Sequence, residues 1–462
     1  MRNRFGHLLG SRIDRQAMFM LAIPALFENL LATLAQFVDT AMVGSLGASA
    51  TAAVAVNATP MWLLNGMVSA IGVGGTAVVA RLIGAKDREG AEKAYRQVFL
   101  AVLTFAAILC ILAESVAGLI PRWMRADPAL HQTAATYMRV VAAGFIPHFT
   151  GMALGASLRG AGDTRTPMFV STTANLLNVV GNFLLIYPAR VITVFGLSLP
   201  MWGAGLGVIG AGISTAACNT MAGIALLLLV TRSRSRLQLK LRRLRPDGEM
   251  LRRILRIGLP ASLERVTIST GQMFYVGMVA ALGTAELAAH HLSITVESLS
   301  YMPGFAFGVA ATTLVGQSLG AKELQRAKER GALTIRYAVG VMSLIGVGLF
   351  VFAPVLIGLL TPDPAVRMIG AQLIRICAFE QPFMAMEMVG AGALRGAGDT
   401  RAPFFIALTG MWGVRIVLAW LFMTQFGWGV NGAWYAMVTD LGVRSLLIMI
   451  RFFRGKWMTA RV

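Results

Sequence analysis

The chain has 462 residues, of which 56% are hydrophobic and only 13% are charged, and its mean hydropathy is +0.68. Soluble globular proteins contain about 25% charged residues, and the apolar residues here come in runs of about 20 or more, so the composition excludes a soluble protein of several domains. The net charge of +20 does not indicate nucleic acid binding, because Lys and Arg cluster at the ends of the apolar runs and in alternate loops.

Twelve apolar segments predict twelve transmembrane helices and an all-α polytopic membrane protein. In chain order, the segments lie near 17–43, 51–80, 95–120, 131–157, 167–188, 203–231, 255–281, 287–317, 331–360, 366–393, 402–425 and 430–452. The first segment is too long for the core of a signal peptide, so we expect it to remain as an uncleaved helix. Three cysteines (Cys110, Cys218, Cys377) lie scattered inside apolar segments, which indicates neither a disulfide framework nor a metal site.

The most basic stretch of the chain lies between the sixth and seventh segments, in a predicted linker over residues 232–254. Its cationic residues are Arg232, Arg234, Arg236, Lys240, Arg242, Arg243, Arg245, Arg252 and Arg253. With this linker in the cytoplasm, the loops at 81–96, 159–165, 322–330 and 395–401 and both termini fall on the same side, and all are rich in Lys and Arg. The opposite loops hold little beyond Arg122, Arg125, Arg190 and Arg367. The positive-inside rule therefore predicts that both termini are cytoplasmic.

The two halves of the chain repeat, because adding 236 to a position in the first half gives its counterpart in the second. Pro24 corresponds to Pro260, and Glu28 corresponds to Glu264. The strongest match is the segment LRGAGDTR, which occurs at 158–165 and again at 394–401. We therefore predict an N-lobe over residues 1–231 and a C-lobe over residues 255–462, each with six helices. A pseudo-two-fold axis along the membrane normal would relate the lobes, with a cavity between them.

This architecture is typical of transporters in which one bundle of helices rocks against another. The sequence contains no H-E-x-x-H, Walker loop or C-x-x-C motif, so we predict neither an enzyme nor a bound cofactor. Without an ATP-binding motif, an ion gradient is the expected source of energy. We expect a monomer.

Several short motifs together resemble the multidrug and toxic-compound extrusion (MATE) family over essentially the whole chain. They are P-x-x-x-E at 24–28, VDTAMVG at 38–44, the basic L-x-G-A-K loop at 82–86 and the doubled LRGAGDTR. The resemblance implies an antiporter of twelve helices in two six-helix lobes, in which inward movement of H⁺ or Na⁺ drives outward movement of bulky, often cationic or aromatic, compounds. The motifs are most similar to a prokaryotic branch with a coupling aspartate on the first helix, which implies the plasma (inner) membrane. The expected partners are the cation, small amphipathic substrates and the lipid bilayer.

In that branch the N-lobe site combines an aspartate on the first helix, two polar residues four apart on the fifth helix and a threonine on the sixth. The resemblance assigns these roles to Asp39, to Asn178 and Asn182, and to Thr215. The family carries an acid at the position of Asn182. A sodium ion at Asp39 would therefore lack the second carboxylate, and we expect H⁺ rather than Na⁺.

Asp39 is the residue on which cation coupling is expected to depend. An ionised carboxylate costs at least about 2.5–3.5 kcal/mol in an apolar span, so a carboxyl there can load a proton on one side of the membrane and release it on the other. Glu28 lies on the same helix, within roughly 20° of the same face and about 16 Å away along the axis; we expect either a second proton station or an ion pair near the cytoplasmic end. Asn175, Asn178 and Asn182 form one stripe on the fifth helix, which would hold Asp39 or bind a neighbouring helix.

Charged residues predicted inside the C-lobe helices are expected to line a cavity that attracts cationic substrates, or to pair with one another. They are Glu264, Glu297, Glu380, Glu387 and Arg415. Asp440 and Arg444 lie at i and i+4, which predicts an ion pair on one helix. The family's second cation site, in the C-lobe, is not implied, because its two acidic positions are Ile268 and Met384 here.

Two further features concern helix ends and helix bending. Pro24 and Pro260 remove a backbone donor inside the first and seventh helices, which predicts kinks and, as a hypothesis, bending that follows protonation. The charged residues of the repeated loop motif are expected to pin helix ends on the cytoplasmic side through Arg–Asp contacts. They are Arg159, Asp163 and Arg165 in the first copy, and Arg395, Asp399 and Arg401 in the second.

Two other transporter classes are alternatives. Residues 84–90 (GAKDREG) contain the G-x-x-D-R-x-G core of the major facilitator type, although the repeat copy at 320–324 has no D-R. A lipid-linked precursor flippase of related fold would need cationic side chains in its cavity, for which Arg265 and Arg415 are the candidates. Acids outnumber these two arginines, so drug efflux is the preferred interpretation.

Overall fold

The chain forms twelve long helical segments in the computed structural model, which describes residues 11–124, 126–194, 197–232, 237–240 and 244–460. The segments are α1 (Arg12–Gly44), α2 (Ala48–Gly84), α3 (Arg88–Val116), α4a (His131–Ala142) with α4b (Phe145–Gly160), α5 (Arg165–Ile186), α6 (Gly207–Thr231), α7 (Gly248–Ala280), α8a (Thr284–Ser300) with α8b (Met302–Gly320), α9 (Leu324–Gly358), α10 (Pro364–Gly396), α11 (Arg401–Gln425) and α12 (Gly429–Arg454). They follow the twelve predicted segments in order and confirm the all-α polytopic fold.

Among the described residues, seven helices are long and apolar enough to cross a membrane, and nine segments qualify when each bent pair is taken as one span. The other three segments, α7, α10 and α12, contain charged side chains. Glu264, Glu380 and Asp440 are examples, and only 5%, 0% and 0% of their surface is exposed. These helices can therefore lie in the membrane without presenting those charges to lipid.

The sequence predicts one continuous helix for each of α4 and α8, but each is bent between its two parts, by 52° and 41°. The break in α4 falls at Gly144, and α8b begins with Met302 and Pro303. Glycine weakens a helix interior, and proline is best tolerated in the first turn of a helix. Both breaks therefore follow from the local sequence.

A β-hairpin between α5 and α6 departs from the predicted pattern. β1 (Pro188–Val194) pairs antiparallel with β2 (Leu197–Ala204), and Arg190 lies opposite Met201. The guanidinium carbon of Arg190 lies 3.9 Å from the ring centroid of Tyr187. Because the hairpin occupies these residues, α6 begins at Gly207 rather than at the predicted 203. The β-branched run V-I-T-V is the sequence signal for this strand.

The predicted linker 232–254 is shorter in the structure, because α7 begins at Gly248. Asp247 caps this helix by accepting from the Met250 N–H at 2.8 Å. The ammonium of Lys93 on α3 contacts the same carboxyl and holds the pKa of Asp247 below its usual range. The linker is thereby attached to the N-lobe. Several predicted linker or loop cations, and both chain ends, lie outside the described residues: Arg125, Arg234, Arg236, Arg242 and Arg243.

Helices α1–α6 and α7–α12 correspond to the two copies of the repeat, for which we keep the names N-lobe and C-lobe, and equivalent contacts recur in both. The hydroxyls of Thr76 and Thr312, whose positions differ by 236, each donate to a backbone carbonyl at 2.8 Å. Lys86 and Lys322, also 236 apart, adopt positive φ angles of 59° and 62°. We call the side of the molecule that carries these two lysine loops, the loops at 161–164 and 397–400 and the linker the basic face.

The lobes join through the parts of their helices that lie nearer the basic face. Thr313 and Gln317 of α8b donate to backbone carbonyls at the end of α4b, at 2.9 and 3.1 Å. Asp14 of α1 accepts from Arg330 of α9 at 2.7 Å. Among the described residues, the hydrogen bonds that join a helix of one lobe to a helix of the other all lie between the middle of the helices and the basic face.

Two glycines allow the closest approach between the lobes. A Cβ atom on Gly84 would lie 1.9 Å from the Gln317 carbonyl oxygen, and one on Gly320 would lie 1.9 Å from the Arg81 carbonyl oxygen. The repeat relates the two contacts, because 84 corresponds to 320 and 81 corresponds to 317. Only a residue without a Cβ fits at either position.

Candidate cation-coupling site

A polar cluster lies inside the N-lobe, where α1, α5 and α6 meet. Asn182 Nδ2 on α5 donates to Asp39 Oδ1 on α1 at 2.5 Å, and to Asn178 Oδ1 at 3.4 Å. Asn178 Nδ2 donates in turn to the hydroxyls of Ser214 and Thr215 on α6, at 3.2 and 3.4 Å. A chain of hydrogen bonds therefore runs from Asp39 through two amides to α6.

The sequence of α5 explains why these groups converge. Asn178 and Asn182 are one helical turn apart, so their side chains project from the same face. Between them, Gly181 lets α6 approach, because a Cβ atom there would lie 2.4 Å from Ser214 Oγ. Ser214 Oγ also donates to the Asn178 carbonyl at 3.0 Å. The close packing of α5 on α6 thus positions the amides that reach Asp39.

Burial leaves two polar groups of this cluster without partners. Asn182 is completely buried and Asp39 is half-buried. Asn182 Oδ1 and Asn175 Nδ2 have no hydrogen-bond partner among the described residues. Tyr137 of α4a packs against α6, where a Cβ atom on Gly212 would lie 3.1 Å from the tyrosine Cδ2. The NH₂ group of Asn182 therefore donates to the Asp39 carboxyl, while the Asn182 oxygen is free to accept. The same amide can bind Asp39 in either its ionised or its protonated form.

The structure brings together the four residues that the sequence assigns to this site: Asp39, Asn178, Asn182 and Thr215. Ser214 is the member that sequence reasoning misses, although it neighbours Thr215 and is buried. Asn175 shares the stripe on α5 but is not part of the hydrogen-bonded chain among the residues described.

Glu28 lies on α1 nearer the basic face and forms an ion pair with Arg159 at the end of α4b, at 3.1 Å. Its repeat counterpart Glu264 contacts Arg395, the counterpart of Arg159, at 3.9 Å. The four side chains are at most 24% exposed. Glu28 therefore forms an ion pair in this structure, as one of the two alternatives from the sequence expects, and each lobe joins its first helix to its fourth through equivalent residues.

Pro24 and Pro260 lie inside α1 and α7, and both helices continue past them. Pro24 has no N–H, so the carbonyl of Met20 loses its partner within the helix. Thr164 Oγ1, in the loop after α4b, donates to that carbonyl at 3.2 Å. The loop motif thus supplies the hydrogen bond that the proline removes.

Among the described residues, an Arg–Asp contact forms in one copy of the loop motif only, and its arginine, Arg451, lies outside the motif. Asp399 accepts from Arg451 of α12 at 2.7 Å. The expectation is wrong for Asp163, which accepts from the backbone N–H and hydroxyl of Thr166 at 3.0 and 2.8 Å and so caps α5. A serine or threonine hydroxyl beside a capping carboxylate competes with a distant guanidinium, and Ala402 offers no such hydroxyl in the second copy. The motif arginines are Arg159 and Arg395, which bind the glutamates, and Arg165 and Arg401, which are exposed.

A larger cluster of buried charges lies in the C-lobe, where α8a, α10, α11 and α12 meet. Arg415 Nε donates to Asp440 at 2.8 Å, and Asp440 also forms the predicted ion pair with Arg444, at 3.0 Å. Carboxyl oxygens of Glu297 and Glu380 lie within 4.8 Å of each other in the same cluster. The exposed fraction of these five side chains is at most 8%.

The C-lobe residues assigned from the sequence divide between two places. Arg415 ends a π-helical turn of α11, Thr409–Arg415, and Glu387 lies 3.8 Å from Arg444. A π-helical turn displaces the side chains that follow it, and such turns are frequent at functional sites. Glu297, Glu380, Glu387 and Arg415 therefore belong to the buried cluster, whereas Glu264 belongs to the ion pair near the basic face.

One group of side chains has the spacing of a metal site among the described residues. Ligand atoms of Glu297, Cys377 and Glu380 lie within 4.8 Å of one another. Cys377 Sγ also contacts Glu380 at 3.5 Å, so the three side chains are close neighbours within the buried cluster.

Known proteins resemble the chain over nearly its whole length. A family model described as MatE matches residues 24–184 and 260–421, which are the two copies of the repeat. The "Probable multidrug resistance protein NorM" of Thermotoga maritima is 32% identical over 448 residues, which are 96% of this chain and 93% of that protein. The "Multidrug resistance protein MdtK" of Yersinia pseudotuberculosis is 27% identical over 457 residues, 96% of each chain.

The fold also matches solved structures. The "Crystal structure of MATE in complex with MaD3S" is similar with a TM-score of 0.86 at 22% sequence identity, and the match covers 97% of this chain and 96% of that chain. The similarity thus includes both lobes and their relative arrangement.

Proposed function

The chain belongs to the multidrug and toxic-compound extrusion (MATE) family of membrane transporters, and on this premise we propose that it is an H⁺-coupled antiporter that exports small amphipathic compounds. Family membership excludes the major facilitator alternative and agrees with a transporter rather than an enzyme. The relatives are described as multidrug resistance proteins, which supports bulky, often cationic or aromatic, substrates for this chain.

The contact between Asp39 and Asn182 is the observation that carries this proposal. Asn182 donates to Asp39 at 2.5 Å, while its own Oδ1 is buried without a partner among the described residues. The NH₂ group of the amide donates to an ionised carboxylate and stabilises it. After the amide flips by about 180°, its oxygen accepts a hydrogen bond from a protonated carboxyl group. The pair can therefore bind and release a proton without a second charged group.

Proton coupling is favoured over sodium coupling by the ligands that surround Asp39. Hard cations are held by sets of oxygen ligands, and Asp39 is the one carboxylate in this cluster among the residues described. Asn182 presents its nitrogen rather than its oxygen to Asp39. Asp39, Asn178, Asn182 and Thr215 are thus proposed as the coupling site, with Glu28 as a helix-tethering residue.

In alternating access, the lobes would be in contact at the basic face in one state and at the opposite face in the other. The inter-lobe hydrogen bonds lie toward the basic face, which supports a conformer that is open toward the opposite face. The positive-inside rule places the basic face in the cytoplasm. We therefore propose that this conformer is outward-facing in a prokaryotic plasma (inner) membrane, with both termini in the cytoplasm. We further propose that the transporter is a monomer. Bending of α1 at Pro24 is a candidate response to protonation of Asp39.

The decisive test is dye efflux by purified protein in liposomes, with ethidium as the probe and with H⁺ and Na⁺ gradients imposed separately. We expect the H⁺ gradient alone to drive efflux, and Asp39→Asn to reduce that efflux to background. Asp363→Asn is the matched control, because Asp363 caps α10 at an exposed loop and asparagine also caps helices. Gradient-driven efflux by Asp39→Asn would contradict the site, and dependence on the Na⁺ gradient alone would contradict the proton.

A further inference from the structure

A cavity of about 450 Å³ opens at the basic face of the C-lobe, between α7, the loop before α11 and the end of α12. Five cationic side chains and one carboxylate line it: Arg253, Arg256, Arg401, Arg451, Lys456 and Asp399. We propose that this cavity binds the phosphate of an anionic phospholipid from the membrane leaflet at the basic face.

Most of the positive charge in this cavity is not neutralised by the protein. Arg451 pairs with Asp399 at 2.7 Å, and Arg253 pairs with Glu249 at 2.5 Å. The remaining three cations are exposed and form no ion pair among the described residues: Arg256, Arg401 and Lys456. Like charges that converge on one cavity repel each other, so a phosphate that accepts from them relieves the repulsion and gains charge-assisted hydrogen bonds.

The equivalent place in the N-lobe lacks these cations. The repeat counterparts of Arg253 and Arg256 are Ala17 and Met20. The two cations Arg253 and Arg256 are therefore not a general consequence of the positive charge that both lobes carry on this side.

The helix that begins at the cavity also differs between the lobes. Asp163 caps α5 by accepting from the Thr166 N–H at 3.0 Å. Its counterpart Asp399 binds Arg451 instead, and in the described part of the chain the N–H of Ala402, in the first turn of α11, has no side-chain partner. An uncapped helix N-terminus carries partial positive charge, which adds to the attraction that the cations exert on an anion.

The surroundings of the cavity favour a lipid over a free phosphate ion. Leu259 lies one turn beyond Arg256 on α7, and Phe405 lies one turn beyond Arg401 on α11; their exposed fractions are 59% and 58%. Both lie deeper from the basic face than the two arginines, because α7 and α11 run away from that face. Cations at the membrane surface with apolar side chains below them match a phospholipid head group and its acyl chains.

Binding is tested with purified full-length protein in a neutral detergent, by following thermal unfolding as phosphatidylglycerol is added. We expect the lipid to raise the Tm of the wild-type protein. For the double variant Arg256→Gln/Arg401→Gln, the apparent affinity should be at least about tenfold weaker, because two charge-assisted contacts to phosphate are lost. Arg165→Gln is the matched control, since Arg165 is the exposed counterpart of Arg401 in the N-lobe, and it should bind the lipid as the wild type does.

The competing outcomes separate the ligand from the site. Phosphatidylcholine and inorganic phosphate are expected to leave the Tm unchanged. If inorganic phosphate raises the Tm as much as phosphatidylglycerol does, the ligand is a free anion and the lipid assignment is overturned. No shift in the wild type, or an undiminished shift in the double variant, overturns the site itself. Should the double variant not fold, Lys456→Gln must weaken binding in the same assay. None of these readouts depends on transport.

Discussion

Asn182 is an amide at a position where the resemblance to the aspartate-coupled branch leads us to expect an acid, and it donates to Asp39 at 2.5 Å. An aspartate in its place would put a second carboxylate in contact with Asp39. Two carboxylates at that distance cannot both be ionised unless a cation lies between them. The amide avoids this conflict, which is consistent with a site that exchanges a proton and nothing larger.

We therefore predict that Asn182→Asp makes ethidium efflux respond to a Na⁺ gradient, because a second carboxylate supplies oxygen ligands for the ion. Asn182→Leu should reduce H⁺-driven efflux to background, since leucine removes both the donor and the acceptor. Asn65→Leu is the control: among the described residues, Asn65 Nδ2 bonds only to the Met61 carbonyl of its own helix. Wild-type efflux by Asn182→Leu would mean that this amide only packs.

The residues of the site could be predicted to the extent that their signal lies within one helix. An acid deep in an apolar span indicates Asp39, and a spacing of one turn indicates Asn178 and Asn182. No comparable sequence pattern indicates Ser214 or Tyr137. Their positions beside the site depend on how α6 and α4a pack against α5 and α1, which periodicity along a single helix does not contain.

At the scale of helices, the clearest result is that both lobes use the same tether. Glu28 binds Arg159, and 236 residues later Glu264 contacts Arg395. Each pair joins the first helix of a lobe to the end of its fourth membrane segment, next to the loop motif. The expectation of Arg–Asp pairs within that motif missed this contact, because the acid lies more than 100 residues away in the chain and only the fold brings it close.

A charge swap tests this tether. We predict that Glu28→Arg and Arg159→Glu each lower the Tm, because each leaves two like charges together in a partly buried place, at a cost of about 1–3 kcal/mol. The double variant should recover most of the loss, which thermal unfolding in detergent can measure as a coupling between the two positions. Additive losses would exclude the tether. Glu28→Gln serves as a further control: if it abolishes efflux while the Tm is nearly unchanged, Glu28 is a proton station instead.

Helices were easier to predict than the interruptions between them. Long apolar runs define twelve membrane segments, because a span needs about 20 apolar residues whatever its surroundings. The bends in α4 and α8 and the hairpin before α6 are short features within or beside such runs. The sequence signals for these features are Gly144, Pro303 and the V-I-T-V of β1. They are hard to recognise, because hydropathy averaged over the length of a membrane span hides features of only a few residues.

At the scale of the whole molecule, the lobes meet closely at the basic face through Gly84 and Gly320. Each glycine lies against a backbone carbonyl of the other lobe, at Gln317 and Arg81. A backbone carbonyl cannot move aside as a flexible side chain can. These two positions without a Cβ therefore belong to the closed side of the transporter, together with Gly74 and Gly258, where an added Cβ would lie 2.1 Å from a backbone carbonyl oxygen of the other lobe.

We predict that Gly84→Ala lowers both efflux and the Tm, because the added Cβ would lie 1.9 Å from the Gln317 carbonyl oxygen and the lobes would have to separate there. Efflux should fall by about tenfold or more, which corresponds to at least about 1.4 kcal/mol lost from the closed conformer. Gly320→Ala should act alike. Gly340→Ala on α9, where a Cβ would meet open space, is the control. Wild-type efflux by Gly84→Ala would show that the lobes do not close through this contact.

The division into two lobes was visible in the repeat, but the way they meet was not. A repeat of 236 residues shows that two similar units exist. Gly84 lies against the main-chain carbonyl of Gln317. Every residue has such a carbonyl, so the residue type at 317 does not predict that a helix of the other lobe packs against it. Only the packed structure identifies which of the 50 glycines serve this purpose.

The reciprocal glycine contact has the form of the interface in a symmetric dimer, where the same patch on each subunit binds its copy. Since the atom that each glycine meets is main chain, the contact leaves the side chains at 81 and 317 free to differ. Arg81 donates to the Ala460 carbonyl, whereas Gln317 donates to the Gly160 carbonyl. The same backbone contact therefore carries a different side-chain hydrogen bond in each lobe.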